Sequence, residues 1–303
     1  MASPSSILVT GADGFTGRHL CALLRTQGHA VTELTEHAPS GDHQIRAELT
    51  DAAQVRDAVL RARPERVVHL AAIAFPGHAD AAAIYRVNVI GTLHLLQALA
   101  ETGTGIGGVL LPSTATVYRG DASRALDEDA PLAPATHYAA SKLAMEHMAR
   151  QFAGQLPIVV VRLFNTTGPG QREPYLVPKI VRHFAQGAAV IELGNIDSER
   201  DFLDVRTVAD AYARLIFHEA ARGQTFNLCS GAGTSVRQMI GKLEAITGRG
   251  IEVRVNPAFV RPNEPRRIVG SADRLRAVIG ELLAMPIGQT LRDMLDQAIH
   301  ETR

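Results

Sequence analysis

The feature that most constrains this chain is its first turn. The apolar, β-branched run Ser6–Thr10 passes directly into Gly11-Ala-Asp-Gly14-Phe15-Thr-Gly17, and helical spacing follows over residues 19–26. Each glycine meets a mechanical need. Gly11 permits a tight turn, Gly14 lets backbone approach a pyrophosphate, and Gly17 lets the helix lie close to the strand. The helix N-terminus then offers free N–H groups and the positive end of its dipole to an anion. This context predicts a dinucleotide site; the alternative is an ordinary glycine-rich turn.

The rest of the first half repeats the alternation. Strand-like runs fall at residues 30–34, 45–49, 66–70, 108–112 and 157–163, and long helical patterns at 81–100 and 138–152. Asp51 is placed to cap the helix that follows the third strand. Strand–helix alternation predicts an α/β protein with a doubly wound parallel sheet. Its strands are nearly continuous apolar runs, as a sheet covered on both faces requires. After Phe164 the pattern breaks into Gly168-Pro-Gly170 and shorter elements with scattered arginines. Residues 1–164 therefore read as the dinucleotide-binding domain. Residues 165–303 read mainly as a smaller α/β substrate-binding region, with 204–228 returning to the first.

Composition excludes several classes. Lysine plus arginine is 31 and aspartate plus glutamate is 31, so no general basic surface exists for nucleic acid. Two cysteines are too few for a disulfide framework or a zinc cluster. The twelve histidines form no compact ligand set, and no metal is expected. Neither a signal-peptide pattern nor a run of about 18 apolar residues is present, so no membrane partner is expected and the cytoplasm is the expected compartment. Cys21 is expected in the core, and Asp127-Glu128-Asp129 in a solvated loop.

Tyr138-Ala-Ala-Ser-Lys142 puts a phenol and an ammonium one helical turn apart. A phenol has a pKa of about 10, and a neighbouring cation favours its ionised form. Ser113-Thr114 follows a strand, at the carboxyl edge where doubly wound sheets bind ligands. For the cofactor, an acid beyond the second strand holds a ribose 2′-hydroxyl, and an arginine holds a 2′-phosphate. The strand end here carries Glu36-His37 and no arginine, which leans to NAD(H) over NADP(H).

Together, Gly11-x-x-Gly14-x-x-Gly17, His69-Leu-Ala-Ala72, Asn88-x-x-Gly91-Thr92, Ser113-Thr114 and Tyr138-x-x-x-Lys142 resemble the extended short-chain dehydrogenase/reductases, enzymes of Rossmann fold that commonly act on nucleotide sugars. The resemblance implies that Tyr138 is the acid/base, Lys142 its partner and Thr114 the hydroxyl on the reacting oxygen. It implies cofactor contacts from Gly11, Gly14, Phe15, Gly17, Glu36, Tyr138 and Lys142. Leu70, Ala71 and Ala72 would line the cofactor, with Glu48 and Leu49 by the adenine, although the family usually has aspartate where Glu48 stands. Phe164-Asn165-Thr-Thr-Gly168-Pro-Gly170-Gln171 and Arg200-Asp-Phe-Leu-Asp-Val-Arg206 resemble substrate segments of nucleotide-sugar enzymes, followed by Arg261-Pro-Asn-Glu264. By that likeness Asn165, Arg200, Arg261 and Glu264 hold the substrate.

The set most resembles reductases of GDP-4-keto-6-deoxy-D-mannose, so a GDP-sugar substrate and a homodimer are implied. Dehydratases of the family carry an Asp-Glu pair after the threonine, where this chain has Ala115-Thr116. A 4-epimerase needs no such pair and is the alternative enzyme. A dinucleotide-binding redox sensor is the alternative of another class, although such proteins often lose the tyrosine or lysine kept here.

Overall fold

The computed structural model describes residues 4–75, 78–102, 105–120, 124–260 and 265–301. Its strands are β1 Ser6–Thr10, β2 Ala30–Thr35, β3 Gln44–Arg46, β4 Arg66–His69, β5 Gly108–Thr114, β6 Ile158–Leu163, β7 Asn165–Thr167, β8 Val190–Leu193, β9 Glu199–Asp204, β10 Thr225–Leu228, β11 Gly233–Ser235, β12 Glu252–Val255 and β13 Arg267–Ile268. Its α-helices are α1 Phe15–Thr26, α2 Ala52–Ala62, α3 Ala81–Tyr85, α4 Thr92–Glu101, α5 His137–Ala149, α6 Leu176–Ala185, α7 Val205–Leu215, α8 Val236–Thr247, α9 Asp273–Ile279 and α10 Ile287–Glu301.

Seven parallel strands form the central sheet in the order β10-β6-β5-β4-β1-β2-β3. The chain reverses direction across the sheet between β1 and β4, which opens a crevice at their carboxyl ends. Alternation along β1 fills both faces. Ile7 and Val9 join the core beneath α1 and α7, whereas Leu8 joins the core beneath α2 and α4. This is why β1 is apolar throughout. A second sheet has β9 flanked by β11, β13 and β7, and β8 pairs with β12. A third core of Ile180, Phe184, Met239, Leu243 and Leu291 binds α6, α8 and α10 together. Within residues 204–228, α7 packs on α1 and β10 edges the large sheet beside β6.

Several boundaries differ from the sequence pattern. The helix expected over 81–100 is interrupted by a π-helical turn, Arg86–Gly91. The wider turn carries the buried Asn88, whose Oδ1 accepts from Ile73 N at 2.8 Å and whose Nδ2 donates to Ile73 O at 3.1 Å. The strand expected over 45–49 is only β3, a short edge strand. The helix expected over 138–152 begins at His137 because Thr136 caps it, accepting from Ala139 N at 3.1 Å. After Ala149 it tightens into a 3₁₀ turn. Asp51 caps α2 through Ala53 N and Gln54 N. Cys21 and Cys229 are buried and unpaired. Among the described residues no helix is long and apolar enough to cross a membrane.

Candidate active site

The glycine turn lies at the end of β1, and its packing explains its residues. Gly11 has φ +64°, and a Cβ there would stand 2.6 Å from Ala71 N. A Cβ on Gly17 would stand 2.3 Å from Gly11 O. Gly14 is the N-cap of α1 with no side chain capping it, so the first-turn amides stay available to an anion. Phe15 opens α1 and meets His19 edge-on. Thr10 Oγ1 accepts from Ala71 N at 3.1 Å, which fixes the Leu70–Ala72 segment against the turn.

A directed chain of hydrogen bonds continues from there. Thr10 Oγ1 meets His69 Nδ1 at 2.7 Å, His69 Nε2 meets Thr92 Oγ1 at 2.9 Å, and Thr92 Oγ1 donates to Asn88 O at 2.8 Å. Because Thr92 spends its proton on Asn88, the chain assigns the His69 proton to Nε2. Burial first, and the Lys142 charge second, push His69 down to about 3, so it is neutral. Asn88 Nδ2 donates to Ser141 Oγ at 3.1 Å, and Ser141 Oγ donates to Tyr138 O at 2.8 Å. The glycine turn and the helix of Tyr138 are thus joined by side-chain hydrogen bonds.

Tyr138 and Lys142 lie one turn apart on α5. The Thr114 hydroxyl lies beside the Tyr138 phenol and favours its ionised form. Burial nevertheless pushes the phenol up to about 12, against the lowering by Thr114, and Tyr175 adds to the rise. The lowering expected from Lys142 is not among the influences on the phenol, which burial holds above its usual range. Lys142 Nζ turns to Pro112 O at 2.9 Å. Burial lowers its pKa to about 8, with Glu146 opposing. An ammonium has three donors, and Pro112 takes one.

Ser113 and Thr114 face different partners. Ser113 Oγ donates to Glu146 Oε1 at 2.5 Å, whereas Thr114 Oγ1 meets Thr116 Oγ1 at 3.0 Å and caps the following turn. Behind Ser113, Arg162 Nε and Nη2 donate to Glu146 at 3.1 and 2.8 Å, and Arg162 Nη1 donates to the Tyr118 hydroxyl and Glu128 O, each at 3.0 Å. The acidic stretch 127–129 is therefore only partly solvated: Glu128 is buried, and its Oε1 accepts from Asn227 N at 2.8 Å. Sequence reasoning missed Glu146, Arg162 and Tyr118. A charged residue within the apolar β6, and an acid one turn beyond Lys142, were the available signals.

The other candidates are spread around this centre. Glu36 is 67% exposed, and its neighbour His37 lies 3.7 Å from Asp13 in the glycine turn. The sequence shows no arginine there, but Arg46 of β3 donates to Glu36 O at 3.2 Å. A parallel neighbouring strand, paired at Thr35↔Arg46, brings it in, which removes the ground for preferring NAD. Glu48 is exposed with its carboxylate turned onto Thr50, and Leu49 is buried against the π-helical turn at Gly91. Asn165 starts β7, just beyond Leu163, the cross-strand partner of Thr114. Arg200 lies on β9, two residues from Phe202, the partner of Asn165; its Nη1 donates to Glu199 O at 2.8 Å. Arg261 and Glu264 lie outside the described residues. The loop after β7 rests on α1: Arg18 Nη2 donates to Gly170 O at 3.1 Å, and His19 Nε2 meets Pro169 O at 2.9 Å. No sequence signal points to those contacts.

The uncapped α1 terminus, the glycine backbone pressed against Ala71 and the spare donors of Lys142 fit a dinucleotide. Residues 7–229 match the model of the NAD dependent epimerase/dehydratase family. The chain is 35% identical over 280 residues to GDP-6-deoxy-D-talose 4-dehydrogenase of Aggregatibacter actinomycetemcomitans, covering 90% of this chain and 91% of the relative. It is 35% identical over 302 residues to GDP-6-deoxy-D-mannose reductase of Pseudomonas aeruginosa, covering 95% of each. The solved structure of RMD from Pseudomonas aeruginosa complexed with NADPH superimposes with TM-score 0.87 at 33% identity, covering 98% of this chain and 99% of that one.

Proposed function

The chain belongs to the NAD dependent epimerase/dehydratase family, and from that premise we propose that it is an NAD(P)H-dependent reductase of a nucleotide-linked 4-keto-6-deoxyhexose. The substrate we infer is GDP-4-keto-6-deoxy-D-mannose, and the product GDP-D-rhamnose. The observation that carries the reading is the Tyr138 phenol set beside Thr114, with Lys142 one turn away on the same helix. The GDP moiety is favoured by two relatives, each 35% identical, whose names specify GDP-6-deoxy sugars.

When bound, the reduced nicotinamide supplies hydride to the C4 carbonyl carbon. Tyr138 Oη donates its proton to the developing alkoxide. Thr114 Oγ1 hydrogen-bonds that oxygen and keeps it at the phenol. Lys142 holds ribose hydroxyls with the donors Pro112 leaves free. The first turn of α1 receives the pyrophosphate, and Asn165 and Arg200 take the sugar diphosphate. General acid catalysis of this kind contributes about 10²–10⁴-fold. Ala115 and Thr116 carry no carboxylate for a C5–C6 elimination, which weighs against dehydration.

Two expectations accompany this reading. The helical faces of residues 81–101 and 137–152, where Ile90 is exposed, pair across a two-fold axis in a homodimer. The free, buried cysteines suit the reducing cytoplasm. Light scattering on the purified chain reads the first.

The test is purified protein with GDP-4-keto-6-deoxymannose made in situ and NADH or NADPH, followed by the absorbance of the reduced nicotinamide. Oxidation with a GDP-deoxyhexose product supports the reductase, and NMR of the product reads C4. Tyr138→Phe should lose most turnover and stay folded; near-normal turnover in that variant removes Tyr138 from the mechanism. Interconversion of sugars with no net oxidation indicates an epimerase. Cofactor binding without turnover of any nucleotide sugar indicates a sensor.

A further inference from the structure

Two residues of α5, one turn apart, grip two consecutive residues of β5. Lys142 Nζ holds Pro112 O at 2.9 Å, and Glu146 Oε1 accepts from Ser113 Oγ at 2.5 Å. The third element is β6. Arg162 is the cross-strand partner of Ser113 and pairs with both Glu146 oxygens. The two side chains are 1% and 4% exposed for Glu146 and Arg162. A buried carboxylate is costly unless paired and hydrogen-bonded, and this one stands beside the lysine of the candidate active site.

We propose that Glu146, locked in place by Arg162, is a positioning residue of that site. It supplies the counter-charge for the Lys142 ammonium and takes up the Ser113 hydroxyl, so that Thr114 alone faces the substrate oxygen. The proposal rests on the reading of Tyr138 and Lys142 above.

The groups packed around Lys142 make Glu146 the deciding charge. From β4 comes His69, which is neutral. From β5 comes the Pro112 carbonyl. The π-helical turn reaches α5 through Asn88, which donates to Ser141. On α5 itself lie the Tyr138 phenol and Ser141. Burial draws Lys142 down and Glu146 holds it up. Two groups at i and i+4 lie about 6 Å apart, a separation at which a partly buried charge moves a titration by roughly one pH unit or more.

The chain has three lysines, Lys142, Lys179 and Lys242, so side-chain nitrogen NMR of isotope-labelled lysine resolves each one in the full chain without cofactor. Lys142→Arg assigns the signal. Lys142 should titrate near pH 8 in the wild type and roughly one unit lower in Glu146→Gln, with Glu146→Asp restoring most of the difference. Should Glu146→Gln fold poorly, the double variant Glu146→Gln/Arg162→Met leaves no unpaired arginine and should still show the lowered midpoint. An unchanged Lys142 midpoint in a folded Glu146→Gln or double variant overturns the proposal. The basic limb of kcat/KM should move with the NMR midpoint; a drop in turnover with the limb unmoved marks a purely structural role and also overturns it. A wild type without turnover of any nucleotide sugar would sink the functional reading while leaving the lysine titration to be read.

Discussion

Replacing Arg162 by Met removes one side of a buried ion pair while keeping length and apolar bulk. Four hydrogen bonds go: two to Glu146, one to the Tyr118 hydroxyl and one to Glu128 O. So does the stacking of the guanidinium 5.0 Å from the Tyr118 ring centroid. Tyr118 remains satisfied through Asn227 Oδ1 at 2.7 Å. Glu146 does not, because it is left 1% exposed with Ser113 as its remaining side-chain partner. Stranding a buried charge in this way costs about 3–5 kcal/mol, against a total stability of about 5–15 kcal/mol. For a chain of this size that corresponds to a Tm lower by roughly 5–8 °C. Urea unfolding followed by circular dichroism, with thermal melts beside it, measures the loss. The double variant Glu146→Leu/Arg162→Met should regain part of it, since it removes the stranded carboxylate but leaves the buried Lys142 without its counter-charge. An Arg162→Met protein within about 1 kcal/mol of wild type, or a double variant no more stable than the single, would refute the assignment of this cost to the unpaired carboxylate.

Other perturbations probe the remaining links. Gly17→Ala drives a Cβ to 2.3 Å from Gly11 O; backbone must move, which costs about 1–3 kcal/mol, and calorimetry should show weaker NAD(P)H binding. Arg46→Ala should reduce preference for NADPH over NADH, read as the ratio of kcat/KM values, by roughly tenfold, the worth of one charge-assisted hydrogen bond; an unchanged ratio removes Arg46 from the 2′-phosphate. His69 has a folded pKa of about 3 and an unfolded one of about 6.5. Between those values the unfolded chain binds the extra proton, so stability falls as pH drops, by up to about 1.4 kcal/mol per unit. His69→Asn should flatten that slope in urea titrations at pH 4 to 6.5; an identical slope would place the acid sensitivity elsewhere.

Much of the fold was legible because it depends on local spacing. A glycine turn between strand and helix, apolar strands alternating with helices, and a tyrosine one turn before a lysine are patterns within a few residues. The π-helical turn at 86–91 was not legible, because what widens the helix there is Asn88 reaching Ile73, 15 residues back. Glu128 read as solvated because nothing near it in sequence shows that Asn227 and Arg162 close over it. Arg46 was overlooked because the sequence rule searches the end of β2, and strand pairing brings an arginine in from β3.

The sequence by itself therefore determined the parallel sheet, the placement of a glycine turn at its first crevice, and the order of Thr114, Tyr138 and Lys142 along the chain. Only the tertiary structure decided what state those groups are in. It turned Ser113 to Glu146, set Thr114 beside Tyr138, and buried Lys142, which draws its pKa down against Glu146. These outcomes rest on desolvation and on partners contributed by distant segments, and neither quantity is carried by the spacing of residues along one strand or helix.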